Sequence, residues 1–130
     1  MSSANPVVHF EMPYDDGERV AAFYRSAFGW DMTGLGEEMG DYVVAGTTET
    51  ENGRPTTPGA INGGFYPRAA DAPSHPSVVI AVDDISVAVA DVQAAGGTVV
   101  GEPVAIPTVG LYASFTDSEG NRVGILQPDM

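Results

Sequence analysis

The chain contains two copies of one pattern, and this internal repeat constrains the fold more than any other feature. The segment HFEMPYDDGERVAAFYRSAFGW (residues 9–30) aligns without a gap with SVVIAVDDISVAVADVQAAGGT (residues 77–98). Each copy has the pattern of a strand, an acidic turn, an amphipathic helix and a terminating glycine. A repeat of this kind predicts two similar structural units in one chain.

The acidic turns predict where both helices begin. The pair Asp15-Asp16 aligns with Asp83-Asp84, and apolar residues recur at helical spacing after each pair. The second aspartate of each pair can cap the helix, because its carboxylate accepts hydrogen bonds at the positive end of the helix dipole. Glycine favours helix termination, so we expect the helices to stop at Gly29 and at Gly96-Gly97.

Three short strands are predicted after each helix. They cover about residues 30–33, 41–46 and 60–66 in the first copy, and 98–100, 111–116 and 122–127 in the second. The last strands match as NGGFYP and VGILQP, which aligns Gly63 with Gly124. The polar segment TTETENGRPTTPG lacks periodicity and is predicted to be a loop.

The predicted fold class is therefore α+β, with two tandem βαβββ modules. The modules cover about residues 6–67 and 76–128, and the Pro/Ala-rich segment 67–76 joins them. Because one helix cannot cover both faces of a four-stranded sheet, we expect a curved sheet around a shared cavity. At 130 residues with 43% hydrophobic content, the chain is long enough for one folded domain.

Composition excludes several classes of function. The chain has no cysteine, which excludes disulfides and thiolate metal sites. Its net charge of −13 disfavours binding to nucleic acids and to anionic membranes, and would favour cationic ligands. Solubility alone is the simpler interpretation of that charge.

The location of the protein is predicted from two short segments. The N-terminal MSSANP lacks the basic and apolar regions of a secretory signal, and the apolar run VVIAV is too short to span a bilayer. We expect a soluble cytoplasmic protein.

Four segments resemble the vicinal oxygen chelate superfamily, which includes glyoxalase I, bleomycin-resistance proteins and extradiol dioxygenases. They are HFEMPYDDGERVAAFYRSAFGW, INGGFYP, VVIAVDDISVAVADVQAAGGTVV and DSEGNRVGILQP, so the likeness extends from residue 6 to residue 128. The resemblance implies a single glyoxalase-like domain over residues 1–130, a small-molecule cavity between the modules and a homodimer. It does not name the function, because the superfamily hosts many chemistries.

Metal enzymes of this superfamily take their ligands from the first and fourth strands of each module. The resemblance places His9 at the first of these positions, but it places Ser77 and Gly124 where histidine and glutamate are usual. The remaining position lies near Gly63, with Asn62 as the only polar neighbour. Since a catalytic metal needs at least three protein ligands, we predict no metal and no cofactor. We expect His75, in the linker, to be exposed.

The first strand offers the strongest candidate pair, because His9 and Glu11 share one face of it. A carboxylate beside the imidazole would raise the histidine pKa and orient it as a general base. The alternatives are a hydrogen-bonded structural pair, or Glu11 in solvent. The full set of predicted ligand-binding residues is His9, Glu11, Asn62, Ser77, Tyr112 and Ser114.

Two hypotheses about function follow. The first is a metal-independent protein of the glyoxalase/bleomycin-resistance type that binds a small molecule. The alternative is a glyoxalase-like lyase or isomerase that uses His9 and Glu11 as acid and base.

Three large aromatic residues, Trp30, Phe65 and Tyr66, are predicted to lie in the core or in the cavity wall.

Overall fold

The computed structural model describes residues 4–129 of the chain. These residues form two compact units, one of residues 9–76 and one of residues 77–129 together with residues 4–8. Each unit contains one βαβββ module, so the predicted α+β class is confirmed. Within the described range, neither helix has the length and apolar character needed to cross a bilayer.

The first module has its helix between the first two strands. Its elements are β1 (Val7–Tyr14, in this unit from residue 9), α1 (Gly17–Phe28), β2 (Asp31–Gly34), a short 3-10 helix (Glu37–Met39), β3 (Val43–Gly46), β4 (Thr50–Glu51), β5 (Arg54–Pro55) and β6 (Asn62–Pro67). The strand order is β2-β3-β6-β1. Strands β1 and β6 are parallel, and the β2–β3 and β3–β6 pairs are antiparallel.

The second module repeats this arrangement. Its elements are β7 (Ser77–Ala81), α2 (Ile85–Ala94), β8 (Thr98–Ile106), β9 (Gly110–Thr116) and β10 (Arg122–Pro128). The strand order is β7-β10-β9-β8, with β7 and β10 parallel. The hairpin β4–β5 lies outside the main strand order, so β6 counts as the fourth strand of the first module. Both modules then have the same order of first, fourth, third and second strand.

Both helices begin where the acidic turns predict. The Asp16 carboxylate accepts a hydrogen bond from the backbone N–H of Arg19 at 3.0 Å, and the Asp84 carboxylate accepts one from that of Ser86 at 2.9 Å. Helix α1 ends at Gly29 in the left-handed conformation, with φ of 71°. Local capping chemistry therefore sets these boundaries.

The core of the first module lies between α1 and the sheet. Its buried residues are Met32, Val43, Ala45 and Phe65, against which Phe10, Met12, Tyr14, Val20, Ala21, Tyr24 and Trp30 pack. Because side chains alternate along a strand, Phe10 and Met12 of β1 point to this core, whereas His9 and Glu11 point to the opposite side. We call that opposite side of the first module's sheet the helix-free face.

The core of the second module is mostly aliphatic. Its buried residues are Val82, Ile85, Ala113 and Ile125, with Ile80, Ala88, Val89, Leu111 and Phe115 packed against them. Alternation along β9 and β10 places Tyr112, Ser114 and Gly124 on the side away from α2.

Two strand predictions were wrong. The segment predicted as a loop contains the hairpin β4–β5, whose turn residues Asn52 and Gly53 have φ of 55° and 77°. An Asn-Gly pair is the usual sequence of such a turn, so the signal was present. Strand β8 also extends to Ile106 beyond a left-handed Gly101, because an outer strand tolerates a bulge and a proline.

Candidate functional site

Strand register decides which glycine of β6 corresponds to Gly124. Strand β1 pairs Glu11 with Gly64, whereas β7 pairs Val79 with Gly124. Glu11 and Val79 are equivalent in the sequence repeat, so the equivalent of Gly124 is Gly64. The predicted match with Gly63 was therefore wrong by one residue. The error matters because a shift of one residue moves a side chain to the other face of the sheet.

Tyr42 lies over Gly64 on the helix-free face. A Cβ atom added at Gly64 would collide with the Tyr42 ring, so glycine at this position makes room for the phenol. Tyr42 directly precedes β3, and it alternates with Val44, which is paired with Gly64. The ring therefore fills the space above the fourth-strand position of the first module.

The Tyr42 hydroxyl connects the two residues that the sequence predicted as a pair. It donates a hydrogen bond to Oε2 of Glu11 at 2.9 Å, and Nε2 of His9 lies 2.9 Å from the same hydroxyl oxygen. We call these three residues the His–Tyr–Glu chain. Sequence reasoning missed Tyr42, although its position is equivalent to that of Tyr112 in the second module. Two residues after Tyr42, Val44 pairs with Gly64. Two residues after Tyr112, Ser114 pairs with Gly124.

Burial controls the protonation of His9. The imidazole is largely desolvated, and this lowers the His9 pKa below its usual 6.5. The expected rise in this pKa was wrong, because Glu11 contacts the Tyr42 hydroxyl and the imidazole meets that hydroxyl instead of a charge. His9 is therefore neutral at pH 7.

Two other predicted ligand-binding residues hold the scaffold. Oδ1 of Asn62 accepts hydrogen bonds from the backbone N–H groups of Thr47 at 2.7 Å and Thr48 at 3.2 Å, which fixes the segment after β3. The buried Ser114 hydroxyl accepts a hydrogen bond from Nε of Arg122 at 3.1 Å. Contacts of either residue with a ligand stay predictions.

The second module has the same tyrosine and glycine but different residues on its first strand. A Cβ atom added at Gly124 would lie 2.6 Å from the Tyr112 hydroxyl oxygen. The positions equivalent to His9 and Glu11 are Ser77 and Val79. Ser77 and Tyr112 remain predicted ligand-binding residues, and this module offers neither an imidazole nor a carboxylate at those two positions.

The residues present do not fit the metal set that the resemblance implies. Register places Gly64 and Gly124 at the two fourth-strand positions, and glycine has no side chain to offer a metal. Among residues 4–129, no three histidine, aspartate or glutamate side chains gather into a group that could hold a metal ion. His75 is exposed, as expected.

An open depression of about 530 Å³ lies on the other side of the first module, next to α1. Its lining includes Tyr14, Glu18, Arg25 and Asp41, but no member of the His–Tyr–Glu chain. Two of these side chains serve the scaffold: the Tyr14 hydroxyl donates to the Asp41 carbonyl at 2.7 Å, and Arg25 donates to a β2 carbonyl at 3.1 Å. The convergent polar side chains are therefore on the helix-free face.

Comparison with known proteins identifies the family. The sequence profile of the Glyoxalase/Bleomycin resistance protein/Dioxygenase superfamily matches residues 7–125. The chain belongs to this superfamily. CFP32, a candidate glyoxylase of Mycobacterium bovis, is 31% identical over 119 residues, which cover 91% of this chain and 42% of CFP32. The chain therefore spans less than half the length of the curated relatives it matches.

Solved structures support the fold. A variant of methylmalonyl-CoA epimerase from Streptomyces coelicolor, in complex with 2-nitronate-propionyl-CoA, matches with a TM-score of 0.71 and 18% identity, covering 98% of this chain and 100% of that one. The epimerase of Mycobacterium tuberculosis matches with a TM-score of 0.69 and 12% identity, covering 100% and 94%. At these identities the likeness establishes the fold alone.

Proposed function

We propose that this superfamily member binds a small molecule without a metal, and that the helix-free face of the first module supplies the polar contacts. One observation carries the proposal: Tyr42, hydrogen-bonded to both His9 and Glu11, fills the space above Gly64 where the resemblance implies a metal ligand. A phenol, an imidazole and a carboxylate in one chain can recognise a polar ligand directly.

A cationic ligand would suit the charge of the protein. The net charge is −13, and Glu11 contributes a carboxylate on the helix-free face itself. Apolar contact on this face would come from Val44, which is 37% exposed, and from the Tyr42 ring. Trp30 and Phe65 pack in the helix-side core, so they are not part of this surface.

A matched pair of aromatic ligands, one cationic and one anionic, tests this proposal by calorimetry. The cation should bind more tightly, and Glu11→Gln should weaken its binding by about 1–3 kcal/mol, the scale of a hydrogen bond to a charged group. Glu51→Gln is the control, because it makes the same change in net charge at an exposed hairpin. Tighter binding of the anion, or equal effects of the two substitutions, would contradict the proposal.

Metal content tests the proposal separately. After dialysis, the purified protein should carry well below one equivalent of zinc, nickel or iron, because glycine occupies both fourth-strand positions. Elemental analysis measures this directly. A stoichiometric metal that resists a chelator would show that the metal-independent part of the proposal is wrong.

A second candidate function is a lyase or isomerase, and the His–Tyr–Glu chain is the observation that favours it. A neutral imidazole connected to a carboxylate through a hydroxyl can accept and return a proton during a reaction. The two functions differ in what His9→Gln changes. In an enzyme it would abolish turnover while much of the substrate binding remained, whereas in a binding protein it would only reduce affinity.

A further inference from the structure

The hydrogen bonds of the His–Tyr–Glu chain favour one position for the proton of His9. An ionised carboxylate only accepts hydrogen bonds, so the single hydroxyl proton of Tyr42 is directed to Glu11. The Tyr42 oxygen is then the acceptor at its contact with His9, which favours Nε2 of the imidazole as the donor there. In a neutral imidazole the other nitrogen, Nδ1, is unprotonated and carries a free lone pair.

Nδ1 of His9 is not completely buried. Its contact with Tyr42 through Nε2 is the one hydrogen bond of His9 within residues 4–129. Over the same range, each fully buried side-chain nitrogen or oxygen has a hydrogen-bond partner. A nitrogen without a partner in this structure is therefore not fully buried, so the lone pair of Nδ1 keeps some exposed surface.

The other two residues of the His–Tyr–Glu chain, Tyr42 and Glu11, strengthen this acceptor. The Glu11 carboxylate polarises the Tyr42 hydroxyl, which in turn polarises the N–H of His9, since hydrogen bonds in series reinforce each other. The negative charge of Glu11 lies at the far end of the same chain. A ligand group at Nδ1 is thus favoured if it is a donor and if it is positively charged.

We propose that Nδ1 of His9 is the ligand-facing acceptor of this site, and that the site takes cations that carry an N–H donor, of the amidine or amine class. This inference rests on the proposed function and adds a requirement to it. A positive charge alone is not sufficient, because the ligand must also donate a hydrogen bond to the imidazole.

Three probes of similar size separate charge from hydrogen bonding. Benzamidinium is a cation with N–H donors, phenyltrimethylammonium is a cation without them, and benzoate is an anion that only accepts. In NMR titrations of the full chain, benzamidinium should bind at least about tenfold more tightly than phenyltrimethylammonium, with benzoate the weakest. The shifted resonances should map to the helix-free face.

The outcomes distinguish this inference from the proposed function. If the two cations bind equally well on the helix-free face, the donor requirement is wrong and the proposed function stands. If no probe binds there, if benzoate binds most tightly, or if the shifts map to the depression beside α1, both are wrong.

The tautomer of His9 gives a test that needs no ligand. Nitrogen-15 NMR of the imidazole should show a proton on Nε2 and none on Nδ1, and a protonated Nδ1 in the neutral ring would overturn the inference. Tyr42→Phe should release this tautomer preference and bring the affinities of the two cations together. Tyr14→Phe is the matched control, because its hydroxyl lies on the helix side, and it should change neither result.

Discussion

The two modules share one strand order but fill their helix-side cores with different side chains. The first core is aromatic: Phe65 is surrounded by the rings of Phe10 and Tyr24, with centroids 6.4 Å and 5.2 Å away. At the equivalent position of the second module stands Ile125, in a mostly aliphatic core. The repeat therefore preserves the pattern of apolar positions, while the identity of the packed side chains has diverged.

The faces away from the helices share one feature and differ in another. Tyr42 over Gly64 and Tyr112 over Gly124 are the same arrangement in two modules. Each ring packs over the backbone of a glycine that has no side chain of its own, so both tyrosines have a structural role in covering the sheet. The difference lies on the first strand, where ionisable residues occur in the first module and Ser77 and Val79 in the second. The chemistry of the candidate site therefore belongs to the first module.

The largest expected effect separates the two cores. Phe65→Ala should lower the free energy of unfolding by about 3–5 kcal/mol, and Ile125→Ala by about 2–5 kcal/mol, because both side chains are almost completely buried. Phe65 should show the larger loss, since it also makes the aromatic contacts. Urea unfolding of the two variants measures both values. A larger loss for Ile125→Ala would show that the aromatic core is the more tolerant of the two.

A smaller effect is expected for Gly64→Ala, which tests the tyrosine over the glycine. The added methyl group would displace the Tyr42 ring and break its hydrogen bonds with His9 and Glu11. We expect a loss of about 1–3 kcal/mol in urea unfolding, the cost of overpacking. Gly34→Ala is the control, because nothing lies within 4 Å of the Cβ it would add. Equal stability of the two variants would mean that the ring is easily moved.

The features that the sequence predicted correctly depend on neighbouring residues. Asp16 and Asp84 cap helices through backbone groups two or three residues away, so the turn sequence is sufficient to place them. The alternation of β1 likewise placed His9 and Glu11 on one face. The repeat itself indicated two modules because each copy carries the complete pattern.

The features that were missed depend on pairing between distant segments. The assignment of Gly64 required the register of β6 against β1, which a short alignment cannot fix to one residue. The role of Tyr42 required the pairing of β3 with β6, because only that pairing puts the phenol above Gly64. The direction of the His9 pKa depends on burial, which the sequence spacing of two residues does not reveal. The homodimer and the cytoplasmic location stay predictions.

The smallest expected effect is a pH dependence of stability that distinguishes the modules. Burial lowers the pKa of His9 below 6.5, so the unfolded chain binds a proton there more readily than the folded chain. Stability should therefore fall as the pH decreases from 6.5 toward the lowered pKa. In the second module, hydrogen bonds from Asn121 and neighbouring backbone N–H groups lower the pKa of Asp117 below 3.8, so its contribution is present above 3.8 and is lost only as the pH falls through the lowered value.

Urea unfolding between about pH 8 and about pH 5 separates the contribution of His9 from that of Asp117, because Asp117 stays ionised over this range. His9→Gln removes the buried imidazole and should flatten the decline in stability toward acidic pH. His75→Gln removes an exposed imidazole from the linker and should leave the decline as it is in the unaltered chain. If the free energy of unfolding depends on pH in the same way in His9→Gln and His75→Gln, His9 is not the group that titrates. The conclusion that His9 is a buried neutral imidazole, on which the candidate site depends, would then be wrong.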